Sequence, residues 1–488
     1  MQTNADTSTS IDPGLQLTGW LEERQERFTA VSDAIWAKPE VGLTESAACA
    51  LQSETLARDG FTITQNVGGL PTAFMAEWRS EGNSGARGGS GAPAIGVLGE
   101  YDALPGLSQA SQSGQQPLVA DGPGHGCGHN LLGTAAMAAA MAYKAWLIET
   151  GGAGTVRYYG CPAEETITGK VFMARAGAFD DLDAALTWHP NWINTVSLAS
   201  SLAVNNLKFR FRGQAAHAAA SPELGRSALD AVELMNIGVN YLREHVVQEA
   251  RIHYVITHGG GAPNVVPDDA EVWYFVRAPR RDQVDDITAR VRKIAEGATL
   301  MTGTTMTERF QCGAYNVLPN YALGEVAAAA LDEIGALPFT ETERAYAQQI
   351  ADAYPAATRL AAVRASHLPE SLLSQSLVSA VLPSPDMGRV MSGSTDVADV
   401  SWVTPTVQIA TACWVLGVPA HSWGITATGA MSIGHKGMLH AAKTLALIAV
   451  KLHQNPAHLI AAREEFRTAT GGHAYQCPLP EGLEPDLP

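Results

Sequence analysis

The sequence is poor in cysteine, in positive charge and in long apolar runs. Its six cysteines (Cys49, Cys127, Cys161, Cys312, Cys413 and Cys477) are scattered over 488 residues without a CxxC pair. That spacing excludes a secreted disulfide framework and a zinc-knuckle module, and it predicts a reducing compartment. Lys and Arg number 32 against 49 Asp and Glu, a net charge of −17. No positive field is available for nucleic acid or for an anionic membrane surface, so both are excluded as general partners. The opening residues, MQTNADTSTSIDPG, have neither a basic nor an apolar region of the signal-peptide kind, and a cytoplasmic protein is expected. The most apolar stretch, Leu131–Thr150, is Ala-rich and carries Lys144, which predicts a buried helix rather than a membrane span.

What the chain has is length and apolar content: 46% hydrophobic residues, enough for two or three independent cores. The first seventy residues predict two amphipathic helices, one over Leu17–Trp36 and one capped by Thr44, then a strand FTITQ. A Gly/Ser stretch, SEGNSGARGGSGAP, predicts a surface hairpin loop between strands TAFMAEW and AIGVLGEY. Strands AIGVLGEY, TVRYYGCP and AALTWHP then alternate with helices. That rhythm predicts a parallel or mixed sheet covered on both faces, an α/β fold.

From about residue 199 the order becomes βαββαβ, an antiparallel α+β unit that ends with strand TERFQCGAYN. After Val317 helices resume, with an irregular insertion at 354–385, a strand QIATACWV, a helix His435–Lys451 and a Pro-rich tail. The expected architecture is one discontinuous domain, residues 1–198 and 317–488, interrupted by a smaller one at 199–316.

Four segments follow predicted strands, where ligands bind in α/β sheets. They are GEYDALPG with Glu100 and Asp102, GHGCGHN with His125, Cys127 and His129, GCPAEE with Glu164 and Glu165, and TWHP with His189. His421 follows the strand–loop GVPA near the C-terminus. Imidazole, thiolate and carboxylate drawn from several strand ends suit zinc or manganese with a position left for water. Of two adjacent glutamates, one can coordinate while its neighbour takes a proton, so metal-assisted hydrolysis is expected. Taken singly these features are ordinary, since paired glutamates usually face solvent and a lone histidine is usually structural. The other histidines (His245, His253, His258, His367, His440, His453, His458, His473) read as structural or surface residues.

The ordered set GEYDALPG, GHGCGHNLLGTAA, GCPAEE, TWHP, AAHAAASPELGRSALDA, PNVVP, STDVADVSW and IGHKGMLHAAKTLA resembles the M20 family of metallopeptidases, in its amidohydrolase branch. The resemblance runs over nearly the whole chain. It implies a two-metal catalytic domain and a lid, the 199–316 insert, that dimerises. Two divalent ions, Zn or Mn, would be held by Cys127, His129, Glu165, His189 and His421, with His435 the alternative to His421. Glu164 takes the place of the general base and Asp102 that of the aspartate that positions a ligand. His217 matches a histidine that reaches across the dimer to the oxyanion. Asn264 and Arg277 fall where relatives hold the substrate's carbonyl or carboxylate, and Arg277 offers an anionic product a bidentate fork. Asn130 stands after His129 where much of this branch has Asp, and Asp396 and Asp399 of STDVADVSW have no assigned contact.

The implied activity is hydrolysis of the amide bond of N-acyl or N-aroyl amino acids, of the p-aminobenzoyl-glutamate type. A dipeptidase or another N-acyl-amino-acid hydrolase is the alternative. So is a non-catalytic subunit that needs a homologous partner for activity, giving a hetero-oligomer in place of a homodimer.

Overall fold

The computed structural model describes residues 13–82 and 92–487. The first dozen residues and most of the Gly/Ser stretch lie outside the described residues. The apolar runs of the sequence form strands where alternation places them. The first six are β1 Thr62–Gln65, β2 Phe74–Glu81, β3 Ala94–Glu100, β4 Ala153–Cys161, β5 Ala184–Asn191 and β6 Thr195–Ser197. There follow β7 Ala203–Arg212, β8 Arg251–His258, β9 Asp269–Ala278, β10 Thr305–Ala314 and, late in the chain, β11 Thr406–Ala412. They make a seven-stranded sheet in the order β1-β2-β4-β3-β5-β11-β6 and a four-stranded sheet in the order β10-β7-β9-β8.

In the large sheet β4, β3, β5 and β11 run parallel, while β1, β2 and β6 are antiparallel additions at the edges. Successive residues of the central strands face opposite layers. Val97, Tyr158 and Leu186 join one core, and their neighbours Leu98, Tyr159 and Ala185 join another. The mixed, doubly covered sheet expected from the alternation is the one observed. Helices His129–Thr150 and Ser432–Gln454 pack on each other in the larger core. The first is long and apolar enough to cross a membrane, but 89% of its apolar window is buried inside the molecule.

The small sheet is antiparallel throughout, and two helices, Ala228–Leu242 and Arg281–Thr302, share its core. The chain enters it through residues 198–202 and leaves through 315–320.

Local departures from expectation have identifiable causes. The expected Leu17–Trp36 helix is two, Pro13–Glu22 and Gln25–Ala37. It breaks in the polar run GluGluArg, where the Arg24 guanidinium bonds the Trp20 carbonyl at 3.0 Å. The second predicted helix, Ser46–Arg58, is capped not by Thr44 but by the Glu40 carboxylate. That group accepts the N–H groups of Ala47 (2.9 Å) and Ala48 (3.1 Å), an anion placed on the positive end of the helix. The 354–385 insertion contains a helix, Ala356–Ala365. The tail opens with another, Pro456–Ala469, entered through an Asn455 cap and a proline in its first turn.

Candidate metal centre

The candidate residues sit at the carboxyl ends of the parallel strands. Glu100 ends β3 and Asp102 follows it, β4 runs into Glu164 and Glu165, and β5 carries His189. Cys127 and His129 flank Gly128, whose left-handed φ of 78° turns the chain into the helix that begins at His129. A Cβ at Gly128 would come 3.1 Å from Pro190 Cγ, so glycine is required on both counts.

The structure brings the donors together. Cys127, His129 and His189 form one group, Cys127, Glu165 and His421 a second, and Glu100, His129 and Glu164 a third, with the candidate ligand atoms of each within 4.8 Å of one another. Cys127 Sγ lies 3.3 Å from His189 Nε2, and His421 Nε2 lies 3.4 Å from Glu165 Oε2. His435, the alternative to His421, is elsewhere, with its Nε2 2.8 Å from Asp33.

Asp102 is the organiser of this cluster. One oxygen takes His129 Nδ1–H at 2.8 Å, and the other accepts the Glu165 backbone N–H at 2.9 Å. With Nδ1 so engaged, His129 turns its Nε2 lone pair toward the other donors. His189 is set the same way, by Nδ1–H donation to the Pro190 carbonyl at 2.7 Å. The Trp414 ring packs edge-on to it, 5.7 Å between centroids.

The donor set suits divalent metal, and the orphaned atoms point the same way. His129 Nε2 and Glu165 Oε1 are buried without a hydrogen-bond partner. The electrostatics of the cluster favour neutralisation by cations. Burial, then Glu165, pushes the Cys127 thiol far up, and burial raises Glu165 itself to about 7. Glu164 is raised well above the carboxylate range by burial, then by Glu100 and Asp396. Burial and His129 lower His189 to about 4. Burial pushes Asp102 up as well, but the bonds and charge of His129 outweigh it and hold the carboxyl below its usual value.

The predicted lid residues lie apart from this cluster. Among the described residues, His217, Asn264 and Arg277 make no hydrogen bond or ion pair with it. The lid does bring two of them side by side, because Ala218 N–H donates to the Asn264 carbonyl at 3.0 Å. His217 Nδ1 accepts the amides of Ala219 and Ala220, which leaves Nε2–H as its outward donor. Arg277 on β9 stands in register with Arg251 and has an unpartnered Nε.

Lys170 escaped the sequence reading. Wholly buried, its ammonium bridges Glu100 (2.7 Å) and Asp396 (2.5 Å), and Glu100 Oε2 lies 3.3 Å from His129 Nε2. A lysine in the first turn of a short helix, against the helix dipole, was the available signal.

Strand-end placement, a convergent Cys/His/Glu donor set and an aspartate that orients it define a metal-dependent hydrolase. The chain belongs to the M20 family of metallopeptidases and amidohydrolases. It is 44% identical over 476 residues to one of the subunits of p-aminobenzoyl-glutamate hydrolase from Escherichia coli strain K12, covering 95% of this chain and 97% of that one. It is 30% identical over 456 residues to the mouse Xaa-Arg dipeptidase, covering 92% and 90%. Residues 204–300 match the peptidase dimerisation domain of M20. The fold matches that of a dinuclear metal-binding M20 peptidase from Bacillus subtilis, with a TM-score of 0.56 and 18% identity over 89% of this chain and 99% of that one. The aminobenzoyl-glutamate utilization protein from Klebsiella pneumoniae matches with a TM-score of 0.59 and 17% identity, over 89% and 98%.

Proposed function

We propose that the chain hydrolyses the amide bond between an acyl or aroyl group and an amino acid, with p-aminobenzoyl-glutamate the first substrate to test. The observation that carries this is the convergence of Cys127, His129, Glu165, His189 and His421 on one site that also holds Glu164. These five would hold two divalent ions. The Cys127 thiolate leans to zinc, and the imidazole and carboxylate donors also admit manganese. When bound, the metal supplies Lewis-acid polarisation of the scissile carbonyl. Glu164, raised in basicity by its burial, takes the proton of the attacking water and returns it to the departing amine. Asp102 keeps His129 in its ligating tautomer. His217 Nε2–H is the oxyanion donor, delivered from a second chain because it does not meet the cluster of its own.

The 44% identical relative, part of a p-aminobenzoyl-glutamate hydrolase, supports the substrate class. The mouse relative keeps a dipeptidase reading open. Arg277 and Arg251, in register on adjacent strands, favour an anionic amino acid over a cationic one.

The test is metal content and p-aminobenzoyl-glutamate hydrolysis on one sample of the chain purified alone, before and after chelation. Bound metal with chelator-sensitive cleavage is expected. Glu164→Gln is expected to keep the metal and lose about 10²–10⁴-fold in turnover. Near-normal turnover of that variant removes Glu164 from the mechanism. Activity that appears only on adding a homologous chain makes the working form a hetero-oligomer.

A further inference from the structure

The motif STDVADVSW takes no part in the chemistry proposed above, yet its Asp396 and Asp399 are wholly buried. Between and beyond them runs a five-residue helix, Val397–Ser401. At its head, Asp396 accepts the Lys170 backbone N–H at 2.8 Å and its ammonium at 2.5 Å. Lys170 passes the contact on to Glu100, beside His129 and Glu164.

The other end of the helix holds the exit from the four-stranded sheet. Asp399 accepts the Tyr315 N–H at 3.2 Å and the Tyr475 hydroxyl at 2.7 Å. Ser401 Oγ accepts the Leu318 N–H at 2.9 Å, and the Trp402 indole donates to the Asn316 carbonyl at 2.7 Å. The entry is held by the residues just before the motif. Ser200 N–H donates to the Arg389 carbonyl and Leu202 N–H to that of Gly393, each at 2.9 Å.

Apolar packing draws the same parts together. One core cluster contains Val204, Cys312 and Ala314 of the small sheet, Val397 and Val400 of the helix, and Ile167 of the loop after the paired glutamates. The Cys312 thiol donates to the Ile167 carbonyl at 2.6 Å. That loop is bounded by two non-glycine residues in the left-handed region, Ala163 (φ 55°) and Ile167 (φ 58°). Such a backbone persists only where its surroundings hold it.

We propose that the segment Asp396–Trp402 makes the geometry of the Glu164–Glu165 loop depend on where the four-stranded sheet sits, with Asp396 and Lys170 as positioning residues. Any swing of that sheet moves Tyr315–Leu318, whose backbone groups are tied to the helix. A single turn of helix cannot absorb the displacement by bending. Its head is tied into a buried ion triad, where separating one partner strands a charge, so Asp396, Lys170 and Glu100 move together. A closed sheet thereby holds the base loop in its strained form, and an open one releases it. The proposal rests on the role given to Glu164.

The experiment is hydrogen exchange on the full-length, metal-loaded chain, read at the amides of Ile167 and Thr168, which bond Glu164 O and Ala163 O within the loop. Ser401→Ala touches no residue of that loop. It is expected to speed exchange there about tenfold, as well as at Leu318, with metal content unchanged and kcat lowered more than KM is raised. Cys312→Ala enters the same network from the sheet side and is expected to act likewise, while Cys312→Ser, which keeps the donor, restores protection. Faster exchange confined to residues 315–318, or Cys312→Ala and Cys312→Ser behaving alike, overturns the coupling. Exchange needs no substrate, so a chain that fails to cleave p-aminobenzoyl-glutamate leaves this result standing.

Discussion

Asn130 follows His129 directly in the sequence, yet the helix carries its side chain away from the metal donors. Its Nδ2 donates to Ser32 Oγ at 3.0 Å and to the Gly429 carbonyl at 2.9 Å, all in a buried setting. An aspartate here would set a carboxylate against the Gly429 carbonyl and leave that acceptor unserved, even with the Ser32 hydroxyl turned round to donate. Asn130→Asp is therefore expected to cost about 1–3 kcal/mol in a urea melt while leaving metal content unchanged. Loss of metal with unchanged stability would return Asn130 to the donor cluster.

At this scale the clustering of the candidate donors was legible because Cys, His and Glu after apolar strands announce their chemistry by type. The choice between His421 and His435 was not, since Asp33 claims His435 from 402 residues away in the chain. Nor was Lys170, whose partner Asp396 is 226 residues distant. A buried ion pair over that distance leaves only one locally misplaced charge, which does not say what it pairs with.

At the scale of the element, periodicity found the strands and most helices but misjudged how some of them begin. The helix Glu341–Asp352 opens with a capping box whose Thr340-x-x-Glu343 signature stands in the sequence but outside the hydrophobic periodicity. Thr340 Oγ1 accepts the Glu343 N–H at 3.2 Å, and the Glu343 carboxylate accepts the Thr340 N–H at 2.7 Å. The same carboxylate meets the Lys436 ammonium at 2.7 Å, which ties this helix to Ser432–Gln454. Burial pushes Glu343 up, but bonds from Lys436, Ser432 and Thr340 outweigh it and hold the carboxyl at about 2, against an ordinary 4.5. A depressed folded-state pKa gives stability that is present above the unfolded value and lost as pH falls through the folded one. This contribution should thus be whole at neutral pH and disappear between about 4.5 and about 2. Comparing urea midpoints at pH 6 and pH 3, Glu343→Gln should lower the first and narrow the difference between the two. An unchanged difference would assign the acid sensitivity to other carboxylates.

At the scale of the whole molecule, the division into two sheets was legible in the change from βα alternation to βαββαβ order, while the assembly is a matter of what the small sheet leaves open. Its β8 is an edge strand, and Tyr254, Val255 and Ile256 on it are 38%, 53% and 39% exposed. We propose this apolar edge as the place where the second copy invoked above pairs, closed by a two-fold axis. Val255→Lys is expected to shift the chain to the monomer mass in gel filtration. On the reading proposed above, His217, which makes no contact with its own cluster, would serve a partner's site, and complementation tests this. His217→Ala and Glu164→Gln chains, each inactive alone, are unfolded and refolded together. A hybrid dimer has one site that combines an intact Glu164 from one chain with an intact His217 from the other. Random reassortment makes about half the dimers hybrid, so about a quarter of the wild-type activity should return. If the mixture stays inactive while gel filtration shows dimers, His217 does not act across the interface, and the oxyanion donor must be sought within the chain that carries the metals.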